Sequence, residues 1–180
     1  MSPNFMISNL GPCRVQSPLP LTSGRGADTF RFIDDRALVL YGVTPFPGNP
    51  NEAWSFEMAG PRSSIYFDPS KTRVGIVTCG GLCPGINNVI RTIVMQMYYQ
   101  YRVKYIYGFR YGYQGFIPKY GHNVLELTPD MVKDIYNMGG SILSSSRGHQ
   151  EPVEIVDCLE RTNINILFCI GGDGTLKGCH

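Results

Sequence analysis

The sequence has no strong charge of either sign. Sixteen Lys and Arg stand against 14 Asp and Glu, a formal net charge of +2. Nucleic-acid binding and polybasic membrane attachment both need a basic field, and this near balance argues against both. No apolar run approaches the roughly 18 residues that span a bilayer. There is no N-x-S/T sequon and no C-x-x-C pair among the six cysteines. The cysteines read as reduced thiols in a reducing compartment, since a disulfide framework belongs to shorter secreted chains. Cys79-x-x-x-Cys83 has no second ligand pair to complete a metal site. A Gly-Lys-Ser/Thr phosphate loop and a G-x-G-x-x-G turn are both missing. Length sets the last limit. At 180 residues the chain suits one ordinary domain, and two full α/β lobes of roughly 100–150 residues each do not fit.

Glycine, proline and apolar residues are plentiful. The apolar share of 43% marks a globular chain, and 21 Gly with 13 Pro predict many turns. Prolines punctuate residues 1–72, which read as an irregular N-terminal extension with one short strand at Ala37–Tyr41. Trp54, the one tryptophan, is expected to anchor this arm by apolar burial. Residues 1–27 carry no acid and two arginines, Arg14 and Arg25. A plastid transit peptide has such a composition, but without an amphipathic pattern the stretch reads as a disordered leader.

From Arg73 the pattern becomes regular. Arg73–Cys79 is a short apolar run ended by Gly80-Gly81, the mark of a buried parallel strand entering a tight turn. Ile90, Val94 and Met97 recur at helical spacing. Val103–Tyr107 predicts the next strand. Thr128-Pro129 is an N-cap followed by proline at the first helical position, and the helix it opens is expected to run to Gly139-Gly140. Pro152 opens another helix, with Val153, Val156 and Leu159 on its expected apolar face. Ile164–Ile170 predicts a further strand, ended by Gly171-Gly172. Alternating strands and helices of this kind predict a Rossmann-like, doubly wound α/β sheet.

Ligands in open α/β sheets bind beyond the carboxyl ends of the strands. Two glycine turns lie there: Gly80-Gly-Leu-Cys-Pro-Gly85 and Gly171-Gly-Asp-Gly-Thr175. Glycine lets backbone approach phosphate oxygens, and the following helix start offers unpaired N–H groups. Either turn alone is more often just a tight connection, and two on one sheet strengthen the phosphate reading. Asp173 suits Mg²⁺, directly or through water, although an acid in such a turn is more often a turn or capping residue. Thr175 suits phosphate or the capping of the next helix.

These residues resemble a known family. Val74-Gly-Ile-Val-Thr-Cys-Gly-Gly-Leu-Cys-Pro-Gly-Ile-Asn-Asn-Val-Ile-Arg91 is similar to the first nucleotide motif of the phosphofructokinases, most of all the plant-type ATP-dependent 6-phosphofructokinases. Gly108-Phe-Arg-Tyr-Gly-Tyr-Gln-Gly115, Gly139-Gly-Ser-Ile-Leu-Ser-Ser-Ser-Arg-Gly148 and Gly171-Gly-Asp-Gly-Thr175 agree with that family in order and spacing. The resemblance covers residues 58–180 well and the rest only loosely.

The resemblance implies an incomplete N-terminal lobe of the phosphofructokinase fold, with residues 73–180 as a partial ATP-binding lobe. It implies that Gly80 backs the nucleotide phosphates and that Tyr113 lies near the adenine. Arg147 with Gly148 reaches the transferring phosphates. Gly172, Asp173, Gly174 and Thr175 form the second phosphate turn, with Asp173 toward Mg²⁺. On the residues alone, Tyr113 reads first as a core aromatic and Arg147 as a solvated loop charge. Relatives that use pyrophosphate carry aspartate at the position of Gly174, so glycine here implies ATP. Arg91 falls where bacterial members bind an effector, but its surroundings differ and that regulation is not carried over. Leu82 replaces the bacterial aspartate. The implied reaction is transfer of a phosphoryl group from Mg-ATP to the 1-hydroxyl of fructose 6-phosphate, in a cytoplasmic homo-oligomer. The family draws its general base from a Thr-Ile-Asp-Asn-Asp segment, and these 180 residues hold no such segment. No catalytic residue is therefore assigned, and the chain alone is expected to be inactive. Two alternatives stay open: a non-catalytic chain that binds only nucleotide or full-length partners, and a pyrophosphate-dependent enzyme.

Overall fold

A computed structural model describes residues 7–22, 31–41 and 55–180. Trp54 lies outside them. The chain divides into two compact units, Met1–Tyr66 and Phe67–His180.

The first unit is more ordered than its prolines suggest. β1 (Val15–Gln16) pairs antiparallel with β4 (Ser64–Ile65), and β2 (Leu38–Leu40) pairs antiparallel with β3 (Ser55–Glu57). Residues 7–22 are thus not a wholly free leader, because β1 is paired and Ser17 is buried, its amide donating to the Ser63 carbonyl at 2.9 Å. β2 sits inside the strand expected at Ala37–Tyr41.

The second unit is built on a four-stranded sheet in the order β7-β6-β5-β8. β5 (Arg73–Thr78), β6 (Tyr105–Phe109) and β8 (Ile166–Ile170) run parallel, and β7 (Leu125–Glu126) is antiparallel to β6. β5 is central. Val74 and Ile76 face one side of the sheet, Val77 the other, and all three are fully buried. Enclosure on both faces and both edges explains why this segment shows no polar alternation. On the Val74 side, α1 (Ile86–Met95) packs through Ile86, Ile90 and Val94, with Val132 and Ile135. On the Val77 side pack Phe109, Phe116 and α3 (Pro152–Arg161). Helices on both faces make the sheet doubly wound, as expected.

Four expectations are corrected by tertiary packing. The strand predicted at Val103–Tyr107 begins at Tyr105; Val103 is buried ahead of it, its amide bound to the Met97 carbonyl. The helix opened by Thr128 keeps its cap, with Thr128 Oγ1 accepting from the Met131 amide at 3.3 Å. It is nevertheless only α2 (Pro129–Val132), followed by a 3₁₀ turn at Ile135–Asn137. Side chains of α1 capture carbonyls that a longer helix would use itself: Arg91 Nε donates to Lys133 O at 3.2 Å and Asn87 Nδ2 to Met138 O at 3.0 Å. Arg91 also lies over the Tyr136 ring, a structural role.

α3 buries a different face from the one expected. Val153 is 70% and Val156 51% exposed, while Cys158 is buried and Ile155 and Leu159 pack against the Phe109 cluster. The helix carries two overlapping apolar stripes, and the 155/158/159 stripe fits the sheet. Finally, β8 begins at Ile166 and is only half-buried along its length, because it is an edge strand of the sheet.

Candidate functional site

The carboxyl ends of β5 and β8 lie side by side, with Thr78 opposite Ile170. The two glycine turns therefore emerge next to each other. The Cys79 amide donates to the Ile170 carbonyl at 2.9 Å and closes the ladder at that point. Gly80 has φ +79, a left-handed conformation natural to glycine. Gly171 permits a close approach: a Cβ there would collide with Thr175 Oγ1 and stand 2.7 Å from the Cys79 carbonyl. The second turn leads into α4 (Asp173–Cys179), whose first amides fold back on Gly172, with Thr175 N 2.9 Å from Gly172 O.

A third segment, Ser141–Arg147, is laced onto the end of β5 by hydroxyl groups. Thr78 Oγ1 donates to the Ser144 carbonyl at 2.6 Å and lies 2.8 Å from Ser141 Oγ. Ser145 Oγ donates to the Gly80 carbonyl at 2.5 Å, and the Gly80 amide donates to the Ser146 carbonyl at 3.2 Å. Ser146 Oγ reaches the Tyr111 carbonyl at 2.6 Å, and Asn87 Oδ1 accepts from the Ile142 amide at 2.9 Å. Each such bond contributes about 1 kcal/mol net. Together they hold the segment so that Arg147 Nη2 comes within 3.9 Å of where a Cβ on Gly81 would stand. Arg147 is thus aimed across the first glycine turn.

The three segments surround a cleft of about 1000 Å³. Gly80, Tyr113, Arg147, Gly148, Gly172, Gly174 and Thr175 all line it. Asp173 is not among the lining residues; it is exposed in the first turn of α4. Its lining combines polar groups, backbone at the glycine turns with Arg147 and Lys177, and the apolar side chains of Ile155, Val156, Leu159 and Leu167. That mixture suits a ligand with both anionic and apolar parts.

Tyr113 does more than offer a ring. Its hydroxyl donates to the Thr175 carbonyl at 2.7 Å and lies 3.2 Å from Cys179 Sγ. Its ring lies so close to Gly178 that a Cβ there would stand 2.7 Å from Cε2. Burial, then the contact with Cys179, pushes the phenol well above its ordinary range. Tyr113 is therefore neutral and a fixed donor, tying the 3₁₀ turn Gly112–Phe116 to α4. Burial also lifts the Cys79 thiol to about 11 and the Cys169 thiol to about 12.

Composition and spacing did not reveal the hydroxyl lacing or the places of Lys177, His149 and Gln150 in the cleft wall. The one available signal was the Ser-Ile-Leu-Ser-Ser-Ser run before Arg147. Among the described residues, no group of three His, Cys, Asp or Glu side chains gathers as a metal site. Asp173 fits Mg²⁺ only as a single carboxylate, the kind of ligation this ion accepts when phosphate oxygens and water complete its shell.

A doubly wound sheet with a glycine-lined cleft at its carboxyl edge is an α/β architecture that places a ligand site beyond the strand ends. Comparison with solved structures narrows the fold. A Pichia pastoris phosphofructokinase in the T-state matches with TM-score 0.53 at 23% identity, over 73% of this chain and 15% of that one. A pyrophosphate-dependent phosphofructokinase from Marinobacter aquaeolei matches with TM-score 0.52 at 16% identity, over 59% of this chain and 28% of that one. Among curated proteins, the ATP-dependent 6-phosphofructokinase of Borreliella burgdorferi is 46% identical over 97% of this chain and 39% of its own length. The ATP-dependent 6-phosphofructokinase 1 of Arabidopsis thaliana is 43% identical over 82% of this chain and 30% of its own length. The phosphofructokinase family profile matches residues 73–180. The chain belongs to the phosphofructokinase family, and spans between a quarter and two fifths of the length of the curated relatives it matches. Spirochaete and amoebal relatives match as well as plant ones, so similarity alone does not single out the plant type.

Proposed function

We propose that this chain is the nucleotide-binding part of an ATP-dependent 6-phosphofructokinase of the plant type, a cytoplasmic, homo-oligomeric enzyme of glycolysis. It would bind Mg-ATP for transfer to the 1-hydroxyl of fructose 6-phosphate. The observation that carries this reading is the convergence of both glycine turns and Arg147 on one cleft. The names of the relatives support the same donor and acceptor.

The chemistry assigned to these residues is positioning and charge neutralisation, the main requirements of phosphoryl transfer. The glycine turns bring backbone close to the phosphates. Arg147, planar and permanently charged, spreads its donors over the anionic oxygens. The apolar lining, Ile155, Val156, Leu159 and Leu167, would exclude water from the base. Asp173 would hold Mg²⁺, which when bound offsets phosphate charge. No group in these residues is assigned as general base, so we expect the 180-residue chain to bind without turnover.

Gly174 favours ATP over pyrophosphate as the donor. A Cβ built there meets nothing within 4 Å, so the space beside the turn is open to a further phosphate. Competition between Mg-ATP and Mg-pyrophosphate on the purified chain tests this. ATP is expected to displace pyrophosphate at lower concentration, and tighter binding of pyrophosphate would overturn the assignment.

A further inference from the structure

The residues assigned so far deal with phosphate, and a nucleotide site also has to read a base. Among the described residues the cleft lining holds one carboxamide, Gln150. A carboxamide offers a donor and an acceptor side by side in one plane. Gln150 is half-buried, and no hydrogen bond within the described chain engages its amide. Other polar side chains of the lining are committed elsewhere. Ser146 Oγ donates to the Tyr111 carbonyl, and the Tyr113 hydroxyl to the Thr175 carbonyl. His149 is largely exposed, with Nε2 3.8 Å from Glu151 Oε1. Arg147 can only donate.

The place of Gln150 in the chain agrees with its chemistry. It follows Arg147 by three residues, so the two Cα atoms lie within about 11 Å of each other. Two residues later Pro152 opens α3, and Pro152, Ile155, Val156 and Leu159 line the same cleft. Val156 is 51% exposed and yet belongs to that lining, so apolar surface is available there to a flat ring. In sequence, Gln150 is bracketed by a cation suited to phosphate and by side chains suited to a base.

We propose that Gln150 selects adenine, its carboxamide pairing with the N6 and N7 edge of the base. Oε1 accepts from the N6 amino group and Nε2 donates to N7, the bidentate match between glutamine and adenine. Guanine presents two acceptors on that edge, O6 and N7. Oε1 then faces O6 with no proton between them, and a half-buried acceptor is left without a partner. This selection rests on the nucleotide reading proposed above.

Titration of the 180-residue chain with the magnesium complexes of ATP, GTP and 7-deaza-ATP tests it, on the unaltered chain and on Gln150→Leu. The unaltered chain is expected to bind ATP roughly tenfold more tightly than GTP or 7-deaza-ATP, within the range for one bidentate base contact. In Gln150→Leu the affinity for ATP should fall by about that factor, with the other two little changed, so that the preference disappears. A variant that keeps the preference, or that weakens all three ligands alike as a merely structural residue would, overturns the proposal. The 7-deaza comparison deletes the N7 acceptor from the ligand and needs no variant; equal binding of ATP and 7-deaza-ATP to the unaltered chain also overturns it. Binding of ATP and GTP with equal affinity removes the selection and leaves the nucleotide reading standing. No binding of any of the three refutes the nucleotide reading, and the selection with it.

Discussion

The two units differ in how they are held. In the first unit the paired strands are two or three residues long, and the apolar side chains of β2 face outward: Leu38 is 63% and Leu40 61% exposed. Its ties are largely polar, with Arg62 donating to the Met58 carbonyl at 2.6 Å and to Glu57 Oε1 at 3.1 Å and lying beside Asp35. In the second unit a six-residue strand is enclosed on all sides, and its core residues have no exposure. The cleft belongs to the second kind of structure. Phosphate handling needs backbone held to fractions of an ångström, and a central strand packed on both faces provides that rigidity.

The largest expected effect tests this contrast directly. Ile76→Ala should cost about 2–5 kcal/mol, the range for emptying a packed core site. Leu40→Ala should stay within about 0.5 kcal/mol, as for an exposed position. Urea denaturation of both variants checks the pair, and equal losses would erase the distinction between the units. Next comes the cleft itself. Arg147→Ala should weaken Mg-ATP binding roughly 10- to 100-fold, since a hydrogen bond to a charged group contributes about 1.5–3 kcal/mol. Its denaturation midpoint should not move, because the chain around it is held by serine and threonine hydroxyls rather than by the guanidinium.

A further effect is a dependence on pH. Burial raises the Cys79 thiol to about 11 and the Cys169 thiol to about 12, from the 9.0 of an unshielded thiol. Above pH 9 the unfolded chain releases these protons first, so the folded state binds more protons than the unfolded one. Stability from this source is complete below pH 9 and falls as pH rises toward 11–12. Denaturation at pH 8 and pH 10.5 should show the loss, and Cys169→Ser should reduce it.

Much of this was legible in the residues. β5, its glycine turn and the turn at Gly171 follow from local pattern, because an enclosed strand has no polar alternation and its exit needs glycine. The motif at Ser141–Arg147 was visible as a run, but its purpose was not. Which hydroxyl meets which carbonyl depends on Thr78 and Gly80, more than sixty residues away. Tyr113 was read as a ring beside a base, yet its hydroxyl binds the backbone of Thr175 and fixes α4. The buried face of α3 is hidden in the sequence, since two apolar stripes that share Leu159 overlap in Val153–Leu159 and only the shape of the sheet chooses between them. The early end of α2 was equally hidden, because the competitors for its carbonyls come from Asn87 and Arg91 on another helix.

The central claim is that the cleft between the two glycine turns is a nucleotide site in these 180 residues. Isothermal titration calorimetry of the reduced, folded chain with Mg-ATP tests it most directly. A saturable heat that Arg147→Ala diminishes is expected. A folded chain that gives no binding heat, or one that Arg147→Ala leaves unchanged, would contradict it.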